Sequence, residues 1–265
     1  MFLPYRDDNP HTTTPFVNYG VIAICIAVFL WQESLGPNAE VAAVYAFGLI
    51  PGALFGDVEV NPAISRLPGW MTIVTSMFLH GGWMHLIGNM AYLWIFGDNI
   101  EASLGHARYV AFYLVCGVAA AAAQIAVAPG SEVPMIGASG AISGVLGAYL
   151  VLHPRANIRV FVWIVIIITR INVPAWIVLG MWFVGQVISS AGVDPGAPGV
   201  AFMAHIGGFV AGAVLVFFFK KPQVPVFEPA HTAAFEIENR KLSLRRRGRY
   251  PDSGRGDRHP RGPWG

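Results

Sequence analysis

The chain has 265 residues, of which 55% are hydrophobic and only 12% charged, against roughly 25% charged residues in a soluble domain. That balance excludes a disordered chain and disfavours an ordinary soluble globule. Two cysteines, Cys25 and Cys116, are too few for a secreted disulfide scaffold. What remains is a polytopic helical membrane protein.

In chain order, residues 1–14 form a polar N-terminal tail without the basic region and small-residue cleavage site of a signal peptide. Phe16 to Trp31 is a first apolar span with Tyr19 and Trp31 near its ends. Glu33 to Gly69 is a long first loop. Its apolar piece, Val41 to Phe55, is broken by Gly48, Pro51 and Gly52 and reads as interfacial or re-entrant. Trp70 to Phe96 is a second span, followed by a loop with Asp98, Glu101 and Arg108. Tyr109 to Ala128 is a third, with small residues suited to close helix packing. Ala138 to Leu152 is a fourth, shorter than the ~20 residues that cross a bilayer, so it needs other helices around it. Val160 to Thr169 is apolar but short and flanked by Arg155, Arg159 and Arg170, and reads as an interfacial loop. Pro174 to Ser190 and Val200 to Phe219 are the fifth and sixth spans.

The expected fold is therefore an all-α membrane protein: a tail over residues 1–14, a six-helix bundle over 15–219, and a basic, disordered tail over 220–265. Of 17 Lys and Arg, 11 lie between Lys220 and Arg261. With six spans, every one of the 17 except Arg66 falls on the side that holds both termini, which the positive-inside rule places in the cytoplasm. A prokaryotic plasma membrane is the expected location. An arginine-rich tail behind a membrane domain meets anionic lipid, and nucleic acid is not an expected partner.

Polar residues inside an apolar span are costly and mark function. His80, His85, Asn89, Ser139, Ser143, Gln186 and His205 are such residues. No Asp or Glu lies within the spans, which argues against a proton-coupled transporter, and no His-Glu-x-x-His occurs, which argues against a metalloprotease. Ser139, in Gly137-Ala138-Ser139-Gly140, stands at a helix start, where unused backbone N–H groups stabilise a negative oxygen. On position alone the same residue reads first as an ordinary cap before a Gly140/Gly144/Ala148 packing stripe. His205 is followed at i+3 and i+7 by Gly208 and Gly212, which admit a close neighbouring helix. It is either a base for a hydroxyl on that neighbour or a hydrogen-bonded interface residue. His85 and Asn89, at i and i+4, share a helix face as two donors, and serve either an oxyanion or interhelical contact. His80 is expected to hold a loop. Together, one hydroxyl, one histidine and two further donors make a set sufficient for acyl transfer.

These residues resemble the rhomboid family of intramembrane serine proteases. Gly137-Ala138-Ser139-Gly140 is similar to its nucleophile motif and Ala204-His205-x-x-Gly208-x-x-x-Gly212 to its histidine helix. His80-Gly81-Gly82-Trp83-x-His85-x-x-x-Asn89 resembles its second-helix signature, and Glu101-x-x-x-Gly105 an acidic loop motif. The resemblance implies Ser139 as nucleophile and His205 as base. His85, Asn89 and the backbone at Gly137, Ala138 and Ser139 would form the oxyanion and substrate site, with His80 and Gly208 in support. It implies transmembrane protein substrates reached laterally past the fifth helix, for which Trp176, Trp182 and Phe183 are gate or lipid-facing candidates. No cofactor or metal is implied. Two departures stand out: Ser143 occupies the place of an aromatic that packs on the histidine, and Trp70-Met71-Thr72 lacks the arginine of a Trp-Arg pair. A proteolytically inactive relative that binds membrane-protein clients is the alternative, and a small-solute channel or transporter is a weaker one, lacking inverted repeats.

Overall fold

A computed structural model describes residues 2–10, 13–56, 58–64, 67–164 and 167–235. Strand β1 (Phe2–Asp7) precedes α1 (Phe16–Ser34), and the first loop holds α2 (Pro37–Phe47), α3 (Pro51–Phe55) and α4 (Gly69–Thr75). A 3-10 turn (Ser76–Phe78) leads to α5 (Trp83–Tyr92), which passes through a π turn (Leu93–Gly97) into α6 (Asp98–Leu104). Then come α7 (His106–Val127), α8 (Ser139–Leu152), strands β2 (Asn157–Ile164) and β3 (Ile167–Pro174), α9 (Ala175–Ser190) and α10 (Phe202–Phe219). The helices α1, α7 and α10 are long and apolar enough to cross a membrane; α8 and α9 are apolar but shorter. Large apolar side chains such as Met84 (81% exposed), Ile188 (69%) and Phe218 (78%) cover the outside, as they do on a lipid-facing surface.

The fourth apolar segment is the central one. Apart from the first two residues and Leu150 and Val151, every residue of α8 is buried, which a helix too short to span can sustain only inside a bundle. Its partner is α10, and the contact is backbone on backbone. A Cβ on Gly208 or Gly212 would run into the carbonyls of Gly140 and Gly144, and one on Gly147 into the carbonyl of Phe209. This interleaving of small residues brings the two helices to the closest approach they can make.

Three features differ from the sequence reading. The protein is not all-α: β1, β2 and β3 form an antiparallel sheet in that order, with Asp7 opposite Ile158 and Ile158 opposite Val173. Its residues are rich in β-branched types and alternate, with Ile158, Val160 and Val173 buried. The apolar run expected to be a loop is a hairpin: β2 and β3 pair with each other, and β1, some 150 residues earlier, adds the third strand. Second, the Trp70–Phe96 stretch is not one helix. It breaks at Gly81-Gly82, where Gly82 has φ +144, and restarts at Trp83. Third, the loop expected from residue 97 is helical as far as Leu104, and the turn falls at Gly105 with φ +87.

Buried polar side chains fix these irregularities. Glu101, fully buried, accepts hydrogen bonds from the N–H groups of Val17 (3.0 Å) and Asn18 (2.6 Å) and lies 2.5 Å from His106 Nδ1. A carboxylate thus caps α1, which has no capping side chain of its own, and meets the positive end of its dipole. Asn18 in turn donates to Leu93 O (3.0 Å), which draws that carbonyl out of the regular ladder where the π turn starts. Gln32 clamps the loop before α5, donating to His80 O (3.1 Å) and accepting from His80 N–H (3.0 Å).

At the Leu152 end of α8, Asp7 accepts from Tyr149 Oη–H and Asn99 Nδ2–H (2.6 Å each) and ties β1 to the bundle. Burial pushes the Asp7 carboxyl up to about 7, with Asp98 and Asp8 adding to the rise and the Tyr149 hydrogen bond opposing it. After α10 the chain folds back over the same end: Phe227 and Glu228 N–H groups donate to Val151 and Leu152 carbonyls, and Phe235 N–H to Asn172 O. The first stretch of the segment expected to be a disordered tail is therefore bonded to the body, and residues 236–265 lie outside the described residues.

Candidate active site

The loop before α8 places Ser139. Gly137 has φ +124, and its N–H donates to Ser76 O at 2.8 Å. A Cβ here would also strike the His85 ring, 2.7 Å from Cε1 and 2.8 Å from Nε2, so glycine is required on both counts. Ala138, fully buried, is the N-cap, and Ile142 N–H makes the first helical bond to its carbonyl (3.0 Å). The N–H groups of Ser139, Gly140 and Ala141 stand ahead of that bond, at the positive end of the helix.

The glycine seam carries His205, in the first turn of α10, to Ser139. Its Nε2 is 2.8 Å from Ser139 Oγ, across 66 positions of sequence, and its Nδ1 is 2.7 Å from Gln186 Oε1 on α9. The Trp182 ring, one helical turn before Gln186, lies 5.9 Å from the His205 ring at 34°. Ser143 does not reach the histidine; its hydroxyl donates to Ser139 O at 2.7 Å.

His85 and Asn89 on α5 face the same space. Gly81 N–H donates to His85 Nδ1 at 3.3 Å, which leaves Nε2 to carry the ring proton. Asn89 is buried, and its Nδ2 has no partner among the described residues. An unpartnered buried donor calls for an acceptor that arrives from outside. These side chains, with Ser139, His205, Gly137 and Trp182, line a cavity of about 660 Å³.

Of the residues singled out in the sequence, Ser139, His205, His85, Asn89 and Gly137 thus converge on one cavity. Ala138 supports it from beneath. Gly208 serves the α8–α10 contact. His80 stands outside the cavity lining: it is fully buried, and its Nδ1–H donates to Phe78 O at 3.2 Å in the loop that α1 clamps. Trp182 and Phe183 pack inward on Phe209, at 6.0 and 4.7 Å, whereas Trp176 is exposed. Gln186 stands out in the sequence only as a polar residue in an apolar span, with no role attached. Asn18, Gln32 and Gln124 satisfy the same criterion of a polar side chain in an apolar span. Gln124 lines the cavity and donates to Pro195 O at 2.8 Å. Among the described residues no cluster of His, Cys, Asp and Glu could hold a metal ion.

Residues 68–222 match the Rhomboid domain family model. The chain is 32% identical over 201 residues to the Rhomboid protease GluP of Bacillus subtilis, which takes in 75% of this chain and 34% of that protein. It is 28% identical over 166 residues to the chloroplastic Rhomboid-like protein 11 of Arabidopsis thaliana (59% of this chain, 55% of that protein). It is 30% identical over 162 residues to the mitochondrial Rhomboid protein 1 of Saccharomyces cerevisiae (57% of this chain, 42% of that protein). The chain spans between about a third and about half of the length of these relatives. They come from a bacterium, a plastid and a mitochondrion, so they lend no support to the expected restriction to a prokaryotic plasma membrane.

Proposed function

The chain belongs to the rhomboid family of integral membrane proteins, and from that premise we propose that it is a serine endopeptidase that cleaves transmembrane or juxtamembrane segments of membrane proteins. The observation that carries this reading is the 2.8 Å contact between Ser139 Oγ and His205 Nε2 inside the cavity.

In the proposed reaction Ser139 Oγ attacks the scissile carbonyl carbon as His205 Nε2 takes the hydroxyl proton. The carbonyl oxygen becomes an oxyanion held by Asn89 Nδ2–H, His85 Nε2–H and the Ser139 N–H. His205 then gives its proton to the leaving amine, and an acyl-enzyme remains. Water entering the cavity loses a proton to His205 and attacks the ester, which releases Ser139. The scissile segment must leave its helix first, because helical carbonyls are occupied; residues that break helices lower that cost.

Six crossings, with both termini cytoplasmic, fit this chemistry. In this reading the helical run from Trp83 to Leu104, α8 and α9 are the crossings beyond α1, α7 and α10, the three helices long and apolar enough on their own. The N-terminal strand and the segment after α10 gather at the Leu152 end of α8 and Ser139 stands at the other, which supports a cavity that opens away from the basic side. The inactive-relative reading drew on Ser143; the contacts of Trp182 and Gln186 with His205 weaken its basis.

Cleavage of a test transmembrane substrate in liposomes decides between them. Wild type should cut, with or without EDTA, while Ser139→Ala and His205→Ala should not. Cleavage that survives Ser139→Ala contradicts the assignment.

A further inference from the structure

We infer that Gln186 is the positioning residue for His205, its side-chain carbonyl standing where a Ser–His–Asp triad has a carboxylate. This rests on the reading of Ser139 and His205 as nucleophile and base. A general base presents one bare ring nitrogen to the hydroxyl, and the other nitrogen must then hold the proton. In His205 the nitrogen turned to Ser139 is Nε2, so the proton belongs on Nδ1, where Gln186 Oε1 accepts it at 2.7 Å. When His205 takes the serine proton it becomes an imidazolium with both nitrogens donating. The bond to Gln186 then becomes charge-assisted and strengthens. With its amide turned the other way, Gln186 would donate to Nδ1, push the ring proton to Nε2 and remove the base.

The choice of a neutral acceptor follows from the setting. A carboxylate beside a histidine in an apolar span carries a large desolvation cost, which an amide oxygen avoids. Trp182 and Gln186, at i and i+4, lie on one face of α9, so one helix both packs the ring and fixes its proton. Ser143, bonded to Ser139 O, leaves that work to α9.

The test is NMR of protein labelled with 15N-histidine in lipid, with His205→Ala to assign the signal, joined to cleavage kinetics. Wild type should show His205 protonated on Nδ1. Gln186→Leu, which removes the acceptor at similar volume, should shift the ring toward the Nε2–H form and lower kcat on the order of 10- to 100-fold with KM nearly unchanged. Gln186→Glu, which restores an acceptor, should return the Nδ1–H form and recover part of the rate. An Nε2–H ring in wild type overturns the inference. So does a Gln186→Leu protein with the wild-type tautomer, whether kcat is kept or lost. Cleavage that persists in Ser139→Ala would instead overturn the dyad on which the inference rests, and the tautomer reports on Gln186 independently of that result.

Discussion

At the residue scale, the site brings a Ser139–His205 contact together with a buried donor, Asn89 Nδ2. Asn89 Nδ2 is buried beside the cavity without an acceptor among the described residues, an arrangement that costs stability unless a ligand oxygen completes it. In the proposed mechanism Asn89 bonds the developing oxyanion and not the ground state, so Asn89→Ala should lower kcat by roughly 10- to 100-fold with little change in KM. It should also leave the thermal midpoint unchanged or raised; steady-state kinetics and a melting curve check both. An increase in KM alone would place Asn89 in substrate binding. Residue types made this grouping visible in the sequence: a hydroxyl at a helix start, a histidine before glycines, and a His/Asn pair one turn apart. The partner of His205 was not visible, because Gln186 lies 19 positions away across a connection whose path the sequence does not dictate.

At the element scale, contacts between distant segments decide where helices start, bend and stop. Helix α1 owes its N-terminal cap to Glu101, 83 and 84 positions further along the chain. Glu101→Ala leaves two N–H groups at a buried helix end and should destabilise the protein by roughly 3 kcal/mol, at 1.5–3 kcal/mol for each hydrogen bond to a charged group less some relaxation. Unfolding in mild detergent measures this. A loss within error of zero would show that water replaces the carboxylate. The helices themselves were legible because apolar runs of adequate length leave few alternatives. The π turn at Leu93–Gly97 was not, since Asn18 produces it from another helix. The sheet escaped because β1 meets β2 only through the fold, and because the adjacent strands β2 and β3 read together as one short apolar stretch.

At the scale of the whole molecule, a buried short helix, a glycine seam and a sheet at the far end act together. The α8–α10 seam sets the Ser139–His205 separation, α9 sets the ring, and α5 brings the donors. The sheet and the returning segment hold the opposite end of α8, where Asp7, Tyr149 and Asn99 are joined. Hydrophobic pattern and charge asymmetry were enough to read a bundle from the sequence; the order in which its parts touch came only from the structure.

The proposed chemistry requires that His205 activate Ser139. It is tested most directly by treating the folded protein in lipid with a fluorophosphonate and mapping the adduct by mass spectrometry. One adduct is expected, on Ser139, formed in wild type and lost in His205→Ala. An adduct on another residue, or a Ser139 adduct formed as fast without His205, would contradict it.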